Sequence, residues 1–400
     1  MGDVVQSPNT YAGELYNEMI LPSLIPPAGL VDKGLVTPLP GIKKRSVIRN
    51  MDFPVEFQDP SCTFVDQDND LTIGEKYIDP VKYEVMIEMC YADVRLGWDA
   101  MKLKKGSLND YVPPADLEGA FIELVTKKIA IMNEQLYLNG KAGVTAGVAS
   151  FSAAYPGLIQ RLRNDSAVIK AESGSVGSSS FELTGITTAT PGVVTVASTA
   201  NLRTGDRVTI TDANGNQQVG GVTINEKSFV ITVINATTFS LGVQVTGGTP
   251  ATSGTVVFFN QSNAIGILSY AINNTPEQTL LNPDMKIWVP TALARAYAFA
   301  QAAVANGAGS YYVGDKELDF LGYKLVPVYN MPANTIIVAP SSNIFLGFDD
   351  SGDEDYIRVT DMSKSTGDDT FRYKASMKTD INHVKGADIL LISPETSASS

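Results

Sequence analysis

The stretch PPADLEGAFIELVTKKIAIMNEQLYLNG, residues 113–140, is the most regular segment of the chain. It begins with two prolines, carries Asp116 and Glu118 in its first turn and ends in Gly140, which are signals for the two ends of a helix. Apolar residues recur at helical spacing, namely Phe121, Val125, Ile129, Met132 and Leu136, flanked by Leu117, Leu124, Ile131 and Leu138. The pattern predicts a helix on the order of 35–40 Å long whose stripe is core and not a cofactor site.

The segment before this helix, residues 46 to about 97, has the pattern of strands. Apolar residues alternate or cluster at Val47, Ile48, Phe53, Val55 and Phe57. An acidic, turn-rich stretch follows at 66–70, and then every second residue from Tyr83 to Tyr91 is apolar, with Glu84 and Glu88 between them. This alternation predicts two long strands joined by a polar tip, which together form a projecting hairpin.

The acidic tip of this hairpin resembles a calcium loop only in part. The acids that could bind a metal are Asp66, Asp68, Asp70 and Glu75. A calcium-binding EF-hand loop needs glycine at its sixth position and glutamate at its twelfth, and those positions hold Leu71 and Tyr77. A solvated loop tip is therefore the favoured interpretation, and no metal site is predicted.

Residues 1 to about 45 combine prolines with scattered apolar residues. The prolines are Pro8, Pro22, Pro26, Pro27, Pro38 and Pro40, and the apolar residues include Leu21, Leu24, Ile25 and Leu30. Such a segment cannot form a core of its own, and proline keeps it extended. We expect an arm that lies across another surface; a disordered tail is the alternative, but a tail is rarely this apolar.

The middle of the chain changes composition after the Gly/Ser-rich stretch 173–180, which reads as a linker. A short helical stretch is predicted before it, ending near Glu172. From Phe181 to about Asn260, Thr, Val and Gly dominate, and short strands are predicted at 192–196, 206–210, 228–233 and 238–241. Regular short strands with turn signals between them predict an independent small sandwich or barrel. No phosphate loop is predicted there, because a strand-to-helix context and a lysine are missing.

The remainder of the chain returns to mixed helix and strand character, so the fold class predicted for the whole is α+β. Residues 285–289 read as a strand and Pro290 opens an Ala-rich helix. Further strands are predicted at 321–328, 335–339, 344–348, 356–359, 371–375 and 389–392. We expect the last of these strands to close a β-sheet.

Composition and charge restrict the possible functions. Hydrophobic residues make up 44% and charged residues 18% of the chain, which indicates a folded protein able to bury surface against copies of itself. The net charge is −13, and the densest basic spots are only 43–45 and 104–105, which argues against specific nucleic-acid recognition. No signal peptide or membrane span is predicted, so we expect the chain to be cytoplasmic when made.

The sequence predicts no catalytic, cofactor-binding or metal-binding residue. Its two cysteines, Cys62 and Cys90, are too few for a disulfide framework and lack zinc spacing. The single histidine, His383, follows Asp380-Ile381-Asn382 in a strand-like segment, with no nucleophile motif to serve. We therefore interpret His383 as structural and the protein as not an enzyme.

The order of these elements resembles the Hong Kong 97 (HK97)-type major capsid proteins of tailed bacteriophages. The residues that carry the resemblance are the spine helix ending in Leu138-Asn139-Gly140, the turn at 156–159, and the run Leu321-Gly322-Tyr323, Pro327-Val328, Asn330-Met331-Pro332, Ile336 and Phe345-Leu346-Gly347. The implied divisions are an N-terminal arm (1–45), an elongated loop (46–105), a peripheral domain (106–172), an inserted β-domain (181–260), an axial domain (261–350) and returning peripheral strands (351–400).

The resemblance implies a structural subunit that self-assembles through hexamers and pentamers into an icosahedral shell around double-stranded DNA. It implies further partners, namely a portal and possible decoration or scaffolding proteins, with DNA contacted only non-specifically and no membrane. The expected location is the virion, and the host cytoplasm during assembly. The alternatives are an encapsulin-like nanocompartment shell and another β-rich phage structural protein, such as a tail protein or adhesin.

Overall fold

The computed structural model describes residues 9–11, 29–52, 72–90, 115–140, 155–176, 179–304, 318–349, 357–362 and 370–394. The chain divides into two compact units. Unit 1 comprises Met1–Tyr155 and Phe345–Val384, and unit 2 comprises Pro156–Ile344 and Lys385–Ser400. Helices and strands both contribute extensively, so the α+β class is confirmed.

The elements are numbered along the chain. The strands are β1 (Asn9–Tyr11), β2 (Thr37–Pro40), β3 (Ser46–Asp52), β4 (Thr72–Ile78), β5 (Val81–Cys90), β6 (Ile169–Glu172), β7 (Ser180–Ile186), β8 (Val193–Val196), β9 (Arg207–Thr211), β10 (Gln218–Val219), β11 (Val222–Thr223), β12 (Ser228–Val230), β13 (Thr232–Val233), β14 (Thr238–Ser240), β15 (Thr255–Phe258), β16 (Met285–Pro290), β17 (Leu318–Phe320), β18 (Tyr323–Val328), β19 (Ile336–Pro340), β20 (Ile344–Phe348), β21 (Ile357–Asp361), β22 (Thr370–His383) and β23 (Leu390–Ser393). The α-helices are α1 (Ala115–Asn139), α2 (Leu158–Asn164), α3 (Ala264–Asn273), α4 (Glu277–Leu280) and α5 (Thr291–Val304). Short 3-10 turns lie at Ser173–Ser175, Ser341–Asn343 and Gly386–Asp388.

The predicted spine helix is present as α1, but the face that it buries differs from the prediction. Val125, Ile129 and Leu138 are buried as expected, whereas Met132 is 68% exposed. The buried face also carries Asn133, whose Oδ1 accepts a hydrogen bond from the Tyr83 hydroxyl at 2.9 Å. A buried polar residue that finds a partner is tolerated inside, so hydrophobicity alone misplaced the stripe by one position.

The hairpin of unit 1 is formed by β3 and β4, which pair antiparallel from Ser46↔Ile78 to Asp52↔Thr72. The strand predicted at 83–91 is present as β5 in the described residues, but its predicted role as the returning strand of the hairpin is wrong. β5 instead pairs along β22, from Thr370↔Cys90 to Thr379↔Val81. The apolar alternation runs through both strands, and only the break at Asp79-Pro80, where proline supplies no N–H, separates them. The predicted tip, 66–70, lies outside the described residues.

The remaining strands of unit 1 form a six-stranded sheet in the order β1-β21-β22-β20-β2, with β5 also paired to β22. β2 is part of this sheet and runs parallel to β20. Leu30, Leu35 and Val36 just before it are 0–3% exposed. The second half of the predicted arm thus supplies core residues and a strand of unit 1.

Unit 2 contains a six-stranded mixed sheet in the order β17-β18-β16-β19-β23-β6. Ile287 and Val289 on β16 face a core that α3 and α5 complete. Two segments differ from the sequence interpretation. The stretch to Glu172 is helical only to Asn164 and then becomes β6, and β23 lies in this sheet, whereas β22 of the same C-terminal region lies in unit 1. In both cases the reason is that β6 pairs in parallel with β23, a strand more than 200 residues later in the sequence. Local sequence patterns do not predict such a pairing.

Residues 180–258 of unit 2 form a closed β-barrel, which resolves the alternatives of sandwich and barrel. The strand order is β12-β9-β15-β7-β8-β14-β13. β12 and β13 are separated only by Ile231, so the two ends of this order are one continuous segment and the sheet closes on itself. β7 and β15 were not predicted. The interior includes Leu183, Val194, Val208, Phe239 and Val256.

The described part of the predicted Gly/Ser linker into this barrel, residues 173–176 and 179–180, is packed. Ser173 and Ser179 are fully buried, the Ser179 hydroxyl donates to the Ser173 carbonyl, and Val176 belongs to the core beneath α3 and α5. The small side chains serve close packing, since a Cβ added at Gly174 would lie 3.4 Å from Val257 Cγ2. Glycine and serine are enriched both in flexible linkers and in segments where backbones pack closely, so composition alone does not distinguish the two.

Candidate interaction surface

His383 lies at the end of β22, is 2% exposed, and has its Nε2 2.6 Å from Lys76 Nζ on β4. The neighbouring Asn382 donates through Nδ2 to the Tyr77 carbonyl at 2.7 Å. Asp380 accepts from the Asp79 backbone N–H, also at 2.7 Å. These contacts fasten the end of β4 to β22, so the geometry around His383 is that of a structural residue holding the hairpin base.

Of the four acids considered for metal binding, Glu75 is the one that lies within the described residues. Glu75 forms an ion pair with Arg49, with Nε and Oε1 2.9 Å apart, while Asp66, Asp68 and Asp70 lie outside the described residues. In the described part of the chain, no group of three His, Cys, Asp or Glu side chains is placed to hold a metal ion. Of the two cysteines, Cys90 is a free, exposed thiol and Cys62 also lies outside the described residues.

Glu134 is a buried acid with a raised pKa. It lies on α1, is 5% exposed, and burial raises its pKa to about 7, against the opposing effect of Lys33. Burial also lowers the pKa of Lys33. Lys33 belongs to a turn closed by the Gly34 N–H, which donates to the Val31 carbonyl at 2.8 Å. The pair therefore joins this turn to the spine helix.

One face of the β3–β4 hairpin is exposed and amphipathic. Residues paired directly across two strands share a face, and the register places Val47 opposite Tyr77, Arg49 opposite Glu75 and Met51 opposite Ile73. The apolar members are exposed, Met51 by 70%, Ile73 by 51%, Val47 by 46% and Tyr77 by 39%. We call these six residues the outer hairpin face. At about 3.3 Å per residue, the five residues from Val47 to Met51 make it roughly 13–16 Å long.

The opposite face of the hairpin packs inward. Ile78 is fully buried, and Ile48 and Lys76 are half-buried. A Cβ added at Gly347 of β20 would lie 2.6 Å from Ile78 Cγ2, so the absence of a side chain there makes room for the hairpin base. The outer hairpin face is thereby held outward by packing on its reverse side.

The outer hairpin face suits burial against another protein surface. Its ion pair is between side chains that are 62% and 40% exposed, and such pairs contribute little to folding stability. Arg45 adds a cation–π contact, with its guanidinium carbon 3.8 Å from the Tyr77 ring centroid, and this keeps the ring flat on the surface. Apolar pairs at both ends with charges between them are the composition of a protein–protein contact.

Sequence reasoning found only part of this surface. Val47 was identified as a strand residue, but Met51, Ile73 and Tyr77 were missed as its companions. Alternation along 47, 49 and 51 was a usable signal for one strand. Only the pairing of β3 with β4 shows that Val47 and Met51 lie on the same face as Tyr77 and Ile73.

Among the described residues, no helix is long and apolar enough to cross a membrane. The chain matches no protein-family model and no curated protein. Among solved structures it is similar to a chain of the satellite phage P4 procapsid that includes the size determination (Sid) protein, at 12% identity over 95% of this chain and 98% of that one, with a TM-score of 0.47.

A capsid chain of the empty GTA particle is similar at 12% identity over 91% of this chain and 95% of that chain, with a TM-score of 0.46. A virus-like particle from Pyrococcus furiosus is similar at 8% identity over 95% of this chain and 98% of that chain, with a TM-score of 0.40. Identities this low and TM-scores below 0.5 assign no role to any residue of this chain.

Proposed function

We propose that this chain is a major capsid protein whose copies assemble into the icosahedral shell of a tailed bacteriophage around double-stranded DNA. The observation that carries the proposal is the outer hairpin face, where Met51 is 70% and Ile73 is 51% exposed on a hairpin whose reverse side is packed. A monomer gains nothing from such a face, whereas a shell subunit buries it against the next copy.

The charge distribution supports a container wall. A net charge of −13 disfavours tight binding to packaged DNA, because a protein that grips phosphates presents lysine and arginine. Contact with DNA is therefore non-specific, and the location is the virion, after assembly in the host cytoplasm. Portal, scaffolding and decoration proteins are the further partners of this proposed shell.

The organisation proposed for the shell subunit follows the HK97 pattern. The β3–β4 hairpin acts as the elongated loop, α1 as the spine of a peripheral domain, and the α3–α5 region as the axial domain, with the barrel as an insertion. Copies meet in hexamers and pentamers, where each contact is modest and the closed shell gains from their number.

The test is assembly of the purified chain, followed by electron microscopy and sedimentation, with a charge placed on the outer hairpin face. We expect the unaltered chain to form shells or ring-shaped capsomers and Met51→Lys to reduce shell yield strongly, because a lysine there must be desolvated on contact. Its melting temperature should stay unchanged, since Met51 is 70% exposed.

The matched control is Val222→Lys on the barrel, at a residue that is 55% exposed, which should assemble normally. If Met51→Lys forms shells as well as the unaltered chain does, the outer hairpin face has no role in assembly. A monodisperse monomer from the unaltered chain, at high concentration and with partner proteins present, would overturn the function itself. Nuclease-protected DNA inside particles supports the phage shell, and a protein cargo supports the encapsulin-like alternative.

A further inference from the structure

Helices α3 and α5 of unit 2 are nearly devoid of charge. The ten residues of α3 read AIGILSYAIN and contain no charged side chain. The fourteen residues of α5 read TALARAYAFAQAAV and contain only Arg295. A helix at a solvated surface normally carries charged residues on its outer side, so these two helices have the composition of helices that are covered on both sides.

The structure covers only their inner sides. Ile267 and Leu268 of α3 and Leu293 and Tyr297 of α5 lie in the core against the mixed sheet. On the outer side, Ile265 is 41% and Phe299 is 63% exposed. Large apolar side chains thus lie where a solvated helix would have lysine or glutamate.

The outer sides of the two helices form one continuous surface. Gln261, one turn before Ile265, donates through Nε2 to the Phe299 carbonyl at 3.2 Å, which places the start of α3 beside α5. Ser269 follows Ile265 by four residues and so lies on the same side of α3. Ala298 is exposed next to Phe299. We call Ile265, Gly266, Ser269, Ala298 and Phe299 the helical layer face.

Gly266 adds an independent indication that this face is approached closely. It is exposed, and a Cβ added there would meet nothing within 4 Å. Glycine inside a helix is destabilising relative to alanine, and no neighbour among the described residues accounts for it. The open space at Gly266, next to Ile265 in the chain, leaves room for the close approach of another backbone or side chain.

We propose that the helical layer face is a contact between copies of this chain. Charge selects the occupant: two copies that each carry −13 repel one another wherever acidic surfaces meet, and this face carries no acid to repel with. At its border lie Arg295 on α5 and Arg203, whose Nη1 donates to Gln261 Oε1 at 3.1 Å, together with Asp206, which accepts from the Arg203 backbone N–H at 2.9 Å. The inference rests on the proposed shell function and names a second surface through which its copies meet.

The size of the face fits a repeated contact and not an isolated dimer. Helices of ten and fourteen residues are about 15 and 21 Å long, and packed helices lie roughly 8–10 Å apart. The resulting area is a few hundred Å², well below the roughly 800 Å² per partner of a stable two-protein interface. Contacts of this size hold an assembly only when a ring or shell repeats them.

The test measures maleimide labelling of a single cysteine in the full chain, before and after assembly. In a background with Cys62→Ser and Cys90→Ser, Ala298→Cys places a thiol on the helical layer face. Gln278→Cys, on an exposed residue of α4, is the matched control. We expect Ala298→Cys to label at least about tenfold more slowly in assembled particles than in dissociated subunits, as a closed contact requires, and Gln278→Cys to label at the same rate in both.

Each outcome separates this inference from the proposed function. Particles in which Ala298→Cys and Gln278→Cys label equally fast overturn the helical layer contact and leave the shell function standing. Small oligomers in which Ala298→Cys alone is protected support the contact and contradict the shell. A chain that stays monomeric under every assembly condition overturns both.

Discussion

At the scale of single residues, Glu134 makes stability depend on pH. Burial raises its pKa from 4.5 to about 7, so folding favours the neutral acid. Its stabilising contribution is present below about pH 4.5 and is lost as the pH rises through about 7. Glu134→Gln removes this loss, and we expect the variant to be more stable than the natural chain at pH 8 by about 2–3 kcal/mol.

Urea unfolding between pH 5 and 8.5 measures this difference. Lys33→Met is the control, because Lys33 lowers the pKa of Glu134; without it, the loss of stability should extend to higher pH. Parallel pH profiles for the natural chain and Glu134→Gln would show that the acid is not buried as described.

Asn334 is a second residue with a testable role. It is 2% exposed, and its Nδ2 donates to Thr209 Oγ1 and to the Val257 carbonyl, both at 3.0 Å. Its φ of 62° is one that asparagine tolerates and alanine does not. We expect Asn334→Ala to lower the free energy of unfolding by about 3 kcal/mol and Asn334→Gly, which relieves the backbone, by about 2 kcal/mol.

Chemical denaturation compares the two variants. Equal losses would mean that the hydrogen bonds alone matter, and no loss in either would contradict the contact between the barrel and the rest of unit 2.

At the scale of elements, β15 connects two cores. Val256 and Phe258 point into the barrel interior, while Val257 and Phe259 join the core beneath α3 and α5. Replacing residues 181–260 with a short bridge is therefore expected to damage the rest of unit 2. Such an excision would remove apolar side chains from the core that remains.

A matched pair of substitutions tests this sharing. Val256 and Val257 are 0% and 1% exposed, so truncation to alanine should destabilise by about 1–2 kcal/mol at either site. Hydrogen exchange should rise mainly in the barrel strands for Val256→Ala. For Val257→Ala it should rise in β16 and β19 also. Identical exchange patterns would mean that the two cores unfold as one.

At the scale of the whole molecule, we expect two parts of the N-terminal region to differ in role. Residues 29–40 contribute to the fold of unit 1, whereas residues 1–28 are the part to test for a role in assembly. Deleting residues 1–45 removes the whole of the predicted arm. Because Leu30 and Leu35 are 2% and 0% exposed and β2 pairs with β20, we expect this deletion to unfold unit 1. Losing two buried leucines costs several kcal/mol, a large part of the stability of a domain.

Deleting only residues 1–28 keeps both leucines and β2 and, of the described elements, removes the three-residue edge strand β1, which pairs with β21. It is the appropriate test of an arm. We expect that variant to retain its near-UV circular dichroism and melting transition while forming fewer shells. A cooperative melting transition after deletion of 1–45 would show that the turn at 29–36 is dispensable for folding.

The sequence by itself determined the elements whose signals are local. The helix at 115–139, the strand at β3 and several barrel strands follow from periodicity, caps and turns, which depend on neighbours a few residues away. The α+β class follows from their order. The absence of any predicted catalytic constellation also came from local motifs and from a single histidine.

Only the tertiary structure decided what depends on distant partners. The pairing of β5 with β22 and of β6 with β23 joins segments hundreds of residues apart, and alternation within one strand does not specify its partner. The burial of Asn133 in place of Met132 depended on a hydroxyl from Tyr83. Composition alone could not show that the segment at Ser173 is buried or that the uncharged outer side of α3 is exposed. Burial depends on which residues pack against a segment in the folded chain, and only the tertiary structure shows this.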